Sequence, residues 1–316
     1  MRFLAAIAAL SLAACDGPRS APGQTADAAD AGWSIKPRAD LNAFFDCLQS
    51  DGATIVAAHR GGPAPALPEN AVETFDAALS AAPVLIEIDV ATSADGVLFL
   101  LHDETLDRTT TGSGRADQTS WSEISRLRLK DRRGAATSFH PPSFAEALSW
   151  AAGRTILEID IKRSTRYEDV IAEIHRQRAQ DRVILIAYST GQAARLHKLA
   201  PDLMISLNLS SPSDLKRAIA SGVPAERLLG FTGVDTPNPQ LFSLLGERDI
   251  EVVFGTLGGR DSIDREIERT GDGSRYAALA AMGADIIATD APLRAQAALD
   301  AAGRAATAGR CGVSRR

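Results

Sequence analysis

A chain of 316 residues that is 45% hydrophobic and 23% charged has enough apolar material to bury a sizeable core, which excludes a disordered polymer. Its 34 Lys and Arg stand against 40 Asp and Glu, a net charge of −6, which argues against a nucleic-acid partner, since that would need a concentrated basic face. Mild acidity of the whole still leaves room for a local cationic pocket that takes a small anion.

At the N-terminus Met1-Arg2 gives a positive start, residues 3–12 are an apolar run, and Ala13-Ala14 follow. This is the form of a signal peptide, and it is too short to persist as a spanning helix. Leu12-Ala13-Ala14-Cys15 resembles the bacterial lipoprotein box. That resemblance implies lipidation of Cys15 and an exported protein held to a membrane by acyl chains, on the periplasmic face; a plain secretory peptide is the alternative. Residues 16–38, rich in Ala, Gly, Pro, Ser and Asp, read as a flexible tether, and 39–316 as the folded domain.

An opening helix is expected at 40–49. After it, short β-branched or apolar runs at 54–58, 84–90, 155–161, 183–187, 203–209, 227–231, 250–254 and 285–288 read as strands. Helical stretches at 71–82, 167–177, 190–200, 213–220, 240–246 and 276–282 fall between them. Eight strands alternating with helices is the pattern of a TIM (β/α)8 barrel. A doubly wound open sheet shares that alternation, but no Gly-x-Gly-x-x-Gly follows the first strand. Residues 97–142 interrupt the pattern and read as an insertion after the second strand, with the basic run at 126–133 as a solvated helix face. Cys47 precedes the first strand and Cys311 follows the last helix. A closed barrel brings those regions together, so the pair is open to a disulfide or to two free thiols. The long loop would make a bridge worth about 4–5 kcal/mol in the chain-entropy model.

In such a barrel, functional groups gather at the C-terminal strand ends. The first strand runs into His59-Arg60-Gly61-Gly62. The second contains Glu87 and Asp89, which alternation sends to one side, and the third repeats this with Glu158, Asp160 and Lys162. Buried carboxylates repel, and a divalent cation relieves the repulsion. An all-oxygen set suits Ca²⁺ or Mg²⁺. The bland reading of each acidic strand is a salt-bridged network; two such strands together with His59 and His102 outweigh it. His140, His175 and His197 are read as structural.

His59-Arg60-Gly61, Pro68-Glu69-Asn70, Glu87-x-Asp89, His102-Asp103 and Leu106-Asp107-Arg108-Thr109-Thr110 stand in the order and spacing of the glycerophosphodiester phosphodiesterase family, which the chain resembles from Thr54 to Pro292. Pro142 to Leu148 and Gly283 to Asp290 extend the similarity. The resemblance implies a phosphoric diester hydrolase that cleaves a small glycerophosphodiester to an alcohol and sn-glycerol 3-phosphate. It implies that Glu87, Asp89 and Asp160 hold the metal, with Glu69 and Glu158 as further candidates near it. His59 and His102 would be the acid and base, and Arg60 and Lys162 the phosphate binders. Asn70 belongs to the site or caps the next helix.

Three departures matter. The third carboxylate is Asp160 where the family usually has Glu, leaving Glu158 as a rival ligand. Ala71 replaces a common Thr. Phe254-Gly255-Thr256-Leu257-Gly258 stands where a Trp and an Asn usually approach glycerol. A phospholipase D of the spider-toxin kind, acting on lysophospholipids through a cyclic phosphate, shares the Asp and is the alternative. A non-catalytic binding module would not be expected to keep the whole set. No protein partner is expected.

Overall fold

A computed structural model describes residues 32–316. The leader, the lipidation candidate Cys15 and most of the expected tether lie outside the described residues.

In chain order the elements are β1 (Trp33–Ile35), α1 (Leu41–Ser50), β2 (Ile55–Ala58), α2 (Val72–Ala81), β3 (Val84–Thr92) and β4 (Leu98–Leu100). Next come α3 (Trp121–Ile124), α4 (Phe144–Ala151), β5 (Leu157–Ile161), α5 (Tyr167–Arg176), β6 (Val183–Ala187) and α6 (Thr190–Leu199). They are followed by β7 (Met204–Asn208), α7 (Pro212–Ala220), β8 (Leu228–Phe231), α8 (Pro239–Gly246) and β9 (Glu251–Gly255). The chain ends with α9 (Ile263–Thr270), α10 (Ser274–Ala281), β10 (Ile286–Thr289), α11 (Pro292–Ala301) and β11 (Val313–Arg315).

Strands β2, β3, β5, β6, β7, β8, β9 and β10 pair in parallel, each with the next, and β10 returns to β2 to close a (β/α)8 barrel. Alternation along β3 explains how the wall divides its side chains. Val84, Ile86, Ile88 and Val90 point outward into the shell of helices, whereas Leu85 joins an inner cluster. Glu87 and Asp89 share the parity of Leu85, so they continue the inward row toward the mouth. On β5, Leu157 and Ile159 face out, leaving Glu158 and Asp160 inward. Register sets Glu87 beside Glu158 and Asp89 beside Asp160.

The foot of the barrel is filled. Leu41, Phe44, Phe45 and Leu48, at helical spacing on α1, pack with Ile55, Leu85, Met204 and other first inward residues of the strands. Asp40 caps α1 through its carboxylate. The structured domain starts before the expected boundary at 38, because β1 pairs antiparallel with β11. Cys47 on α1 is joined to Cys311 in a disulfide, Cα–Cα 5.5 Å. No helix among the described residues is long and apolar enough to cross a membrane.

The insertion is a folded flap. β4 pairs antiparallel with β3, and Phe99, Leu101, Leu106 and Ile124 form a small core beneath it. The basic run at 126–133, expected as a solvated helix face, is not helical. Lys130 bonds back to Thr109, and Asp131 to Gly134 form a turn whose side chains border a cavity beside His59. Charge spacing alone cannot distinguish a helix from such a turn, and here the backbone pairs with a segment about twenty residues earlier.

Candidate active site

The first loop begins where β2 ends. Arg60, Gly61 and Gly62 take φ values of 51°, 85° and 75°, three left-handed residues in succession. A side chain at Gly61 would lie 2.4 Å from the Phe75 ring, and one at Gly62 would lie 2.4 Å from Pro292, so only glycine permits the turn. This tight path turns the Arg60 backbone N–H to donate to Glu87 Oε2 at 2.8 Å.

Glu87, Asp89 and Asp160 each bring a carboxylate oxygen within 4.8 Å of the others, all three buried. Glu158 is not in that group. It sits two residues below Asp160 on β5, bonds toward Ser206, and burial pushes its carboxyl up to about 7. Burial and the neighbouring Asp89 charge push Glu87 well above the usual range. Burial works the same way on Asp89, but Lys162 and Arg60 outweigh it and hold that group below its ordinary value. Lys162 Nζ lies 2.6 Å from both Asp89 and Asp160. Tyr188 donates its hydroxyl to Asp160 at 2.8 Å. An acidic trio of which one member resists ionisation is chemically matched to a hard divalent cation. The residues present fit such an ion.

Two further residues secure Asp89 and its surroundings. Asn70, buried and at φ 57°, donates from Nδ2 to Asp89 Oδ2 at 2.7 Å and accepts the Asp89 backbone N–H. It is not a helix cap; α2 has none at its N-terminus. Glu69 lies outside the trio, accepting from Arg60 and from Arg108, and these guanidiniums hold its carboxyl low against the upward pull of burial.

Each candidate histidine is held by a carboxylate. His59 Nδ1 is 2.8 Å from Asp290 Oδ1, and His102 Nδ1 is 2.7 Å from Asp103 Oδ1. The Arg108 guanidinium pushes Asp103 down despite some burial, and His59 and Arg132 do the same for Asp290. Both carboxylates are therefore ionised and only accept, so each ring presents an N–H at Nδ1 to its partner and keeps its Nε2 edge for other groups. Both rings border one inner cavity of about 220 Å³ with Glu87, Asp89 and Asp160. The rest of its lining includes Phe231, Val253 and Leu257.

Asp290, Tyr188 and Arg132 were not named as site residues from the sequence. Asp290 and Tyr188 each immediately follow a barrel strand, β10 and β6, and the rule that strand ends carry function points to both. Arg132 carries no such mark. Asp290 is itself aligned by Asp264 on α9, which accepts its backbone N–H and the Thr289 hydroxyl.

Fold and site define a (β/α)8-barrel protein with a carboxylate trio and two carboxylate-held imidazoles at the C-terminal mouth. The model of the glycerophosphoryl diester phosphodiesterase family matches residues 59–293, and the chain belongs to that family. A glycerophosphodiester phosphodiesterase of Caldanaerobacter subterraneus is 31% identical over 161 residues, 49% of this chain; the match spans 66% of that protein, just under two thirds. A glycerophosphoryl diester phosphodiesterase from Parabacteroides distasonis superposes with TM-score 0.81 at 25% identity, covering 90% of this chain and 100% of the other. An Oleispira antarctica phosphodiesterase, solved in complex with the product sn-glycerol-3-phosphate, has the same fold at TM-score 0.63 and 22% identity, over 80% and 99% of the two chains.

Proposed function

We propose that this chain is a metal-dependent glycerophosphodiester phosphodiesterase, releasing an alcohol and sn-glycerol 3-phosphate. The observation that carries the reading is the pair of imidazoles, each oriented at Nδ1 by an ionised carboxylate, on the cavity that holds the acidic trio. Glu87, Asp89 and Asp160 would hold Ca²⁺ or Mg²⁺, which when bound draws charge from a phosphoryl oxygen. One imidazole takes the proton of the attacking oxygen, from water or a neighbouring glycerol hydroxyl. As the bond from phosphorus to the departing alcohol breaks, the other, protonated, supplies the hydrogen that alcohol needs. Arg60 and Lys162 bind phosphate oxygens as charge builds on them. Arg60 suits this task, since its Nε is buried and makes no hydrogen bond, although it lies 3.5 Å from Asp89. The family membership and the product seen with the Oleispira relative support the same substrate class.

The test is release of sn-glycerol 3-phosphate from a panel of glycerophosphodiesters, after chelation and with each metal restored. Turnover should vanish on chelation and return with Ca²⁺ or Mg²⁺; turnover that survives chelation overturns the metal role. Asp160 in the trio and the apolar lining near Leu257 favour a second reading, a phospholipase D-like enzyme acting on lysophospholipids. Turnover of lysophosphatidylcholine in preference to glycerophosphocholine, ending at a cyclic phosphate by phosphorus NMR, would decide for it.

We also propose that the mature protein is an exported lipoprotein anchored through Cys15. The apolar leader supports this, as does the Cys47–Cys311 disulfide, a bond that persists in oxidising compartments. Labelled palmitate should enter the native chain and not Cys15→Ser.

A further inference from the structure

A second cavity, of about 670 Å³, shares His59 with the inner one and lies between the insertion and the loop after β9. Its walls carry Arg60, Arg108, Lys130, Arg132, Arg133 and Arg265 against three carboxylates, Glu69, Asp131 and Asp290. This excess of positive charge belongs to a protein of net charge −6.

The three acids are already engaged. Glu69 accepts from Arg60 and Arg108. Asp131 accepts the backbone N–H groups of Ala66, Arg133 and Ala135. Asp290 takes His59 and Arg132. Lys130 gives its Nζ to the carbonyl of Asp107, and the Arg133 guanidinium, unlike that residue's backbone N–H, acts on Asp131 only through its longer-range field. Among the described residues neither of these two charges is met by a carboxylate in contact. The family assignment explains Arg60 at the phosphorus; it does not explain five more cations beyond it on the insertion and α9. Gly258 and Gly259, which line the same wall, leave the space open.

We infer that this outer cavity receives an arm of the substrate bearing its own negative charge, a phosphate or carboxylate on the alcohol of the diester. The inference rests on the phosphodiesterase reading above. With the reacting phosphorus at the acidic trio, the cavity beside His59 is where one ester arm extends. An arm with fixed positive charge meets the wrong sign there, and a neutral arm gains nothing from the cations.

Three glycerophosphodiesters with arms of rising charge test this: glycerol, glycerate, and glycerol phosphate. The value of kcat/KM should rise along the series, roughly tenfold from first to last, as several partly exposed pairs would give together. Added salt should compress that gradient. In the Lys130→Gln, Arg133→Gln double variant the ratio of last to first should fall close to one. Equal kcat/KM across the series, or a gradient undiminished in the double variant, overturns the inference and leaves the enzymatic reading standing. Should no diester be turned over with either metal, that reading fails, and calorimetry then decides the cavity alone. Glycerol 1,3-bisphosphate binding several-fold more tightly than glycerol phosphate, with the advantage lost in the double variant, upholds it; equal binding refutes it.

Discussion

At the mouth of the barrel Glu87, Asp89 and Asp160 are buried with Lys162, Arg60 and two imidazoles around them. At the foot Glu251 is buried to the same degree, yet the charges that act on it, Asp285, Asp46 and Asp249, are all acidic. Burial and those neighbours push Glu251 up to about 8, and burial takes Asp285 to about 6. Both ends therefore bury acid on a closed barrel. The foot answers the repulsion by keeping a proton; the mouth answers it with ammonium, guanidinium and room for an ion. Buried carboxylates mark a site only when the groups around them can hold the ionised form in place.

The largest break in this contrast should come from the rings. His59→Ala and His102→Ala are each expected to lower kcat about a thousandfold or more, the scale of a lost acid or base, with circular dichroism and melting unchanged. Activity kept in either variant would remove that ring from the chemistry. Next in size is Asp290→Asn, which keeps a hydrogen-bond acceptor but loses the charge that fixes the His59 tautomer. A loss of about 10–100-fold in kcat is expected, with a shifted pH profile as the readout that a purely structural defect would not give. Smallest in activity is Glu251→Gln at the foot, expected to leave turnover alone and to change stability with pH.

The sign for Glu251 follows from its raised value. Between about 4.5 and about 8 the unfolded chain releases this proton while the folded one keeps it. Stability therefore falls as pH rises through that window, by about 2–4 kcal/mol from this group after allowance for screening. Denaturant melts across pH should show a flatter profile in Glu251→Gln than in the native chain. Parallel profiles would mean that Glu251 is ionised when folded, and that the two ends are alike.

The barrel strands were legible because each is a short β-branched or apolar run that is largely buried, as Val183–Ala187 is, bounded by polar turns. Inward Glu and Asp on β3 and β5 were legible for the same reason, since alternation fixes their face. Three-residue strands β1 and β11 carry no such pattern; their pairing spans almost the whole chain, and only the fold brings Trp33 to Arg315. Asn70 was ambiguous because an amide before a helix is a good cap, and what decides against it is the nearness of Asp89, a residue on another element. The helix Phe144–Ala151 announces itself with a Ser143/Glu146 capping box, a local signal that family similarity overshadowed. Arg132 is the hardest case, because its ion pair with Asp290 joins two distant loops and neither contains a hint of the other.

The pairing of Trp33–Ile35 with Val313–Arg315 has a practical corollary for anyone handling the molecule. The described domain begins and finishes side by side, beneath the barrel and on the face opposite to the opening. A linker, a solid support or a fused partner joined at either extremity would leave the rim clear for solute. Sewing the two extremities together and cutting a surface turn elsewhere should yield a permuted chain with the same pocket.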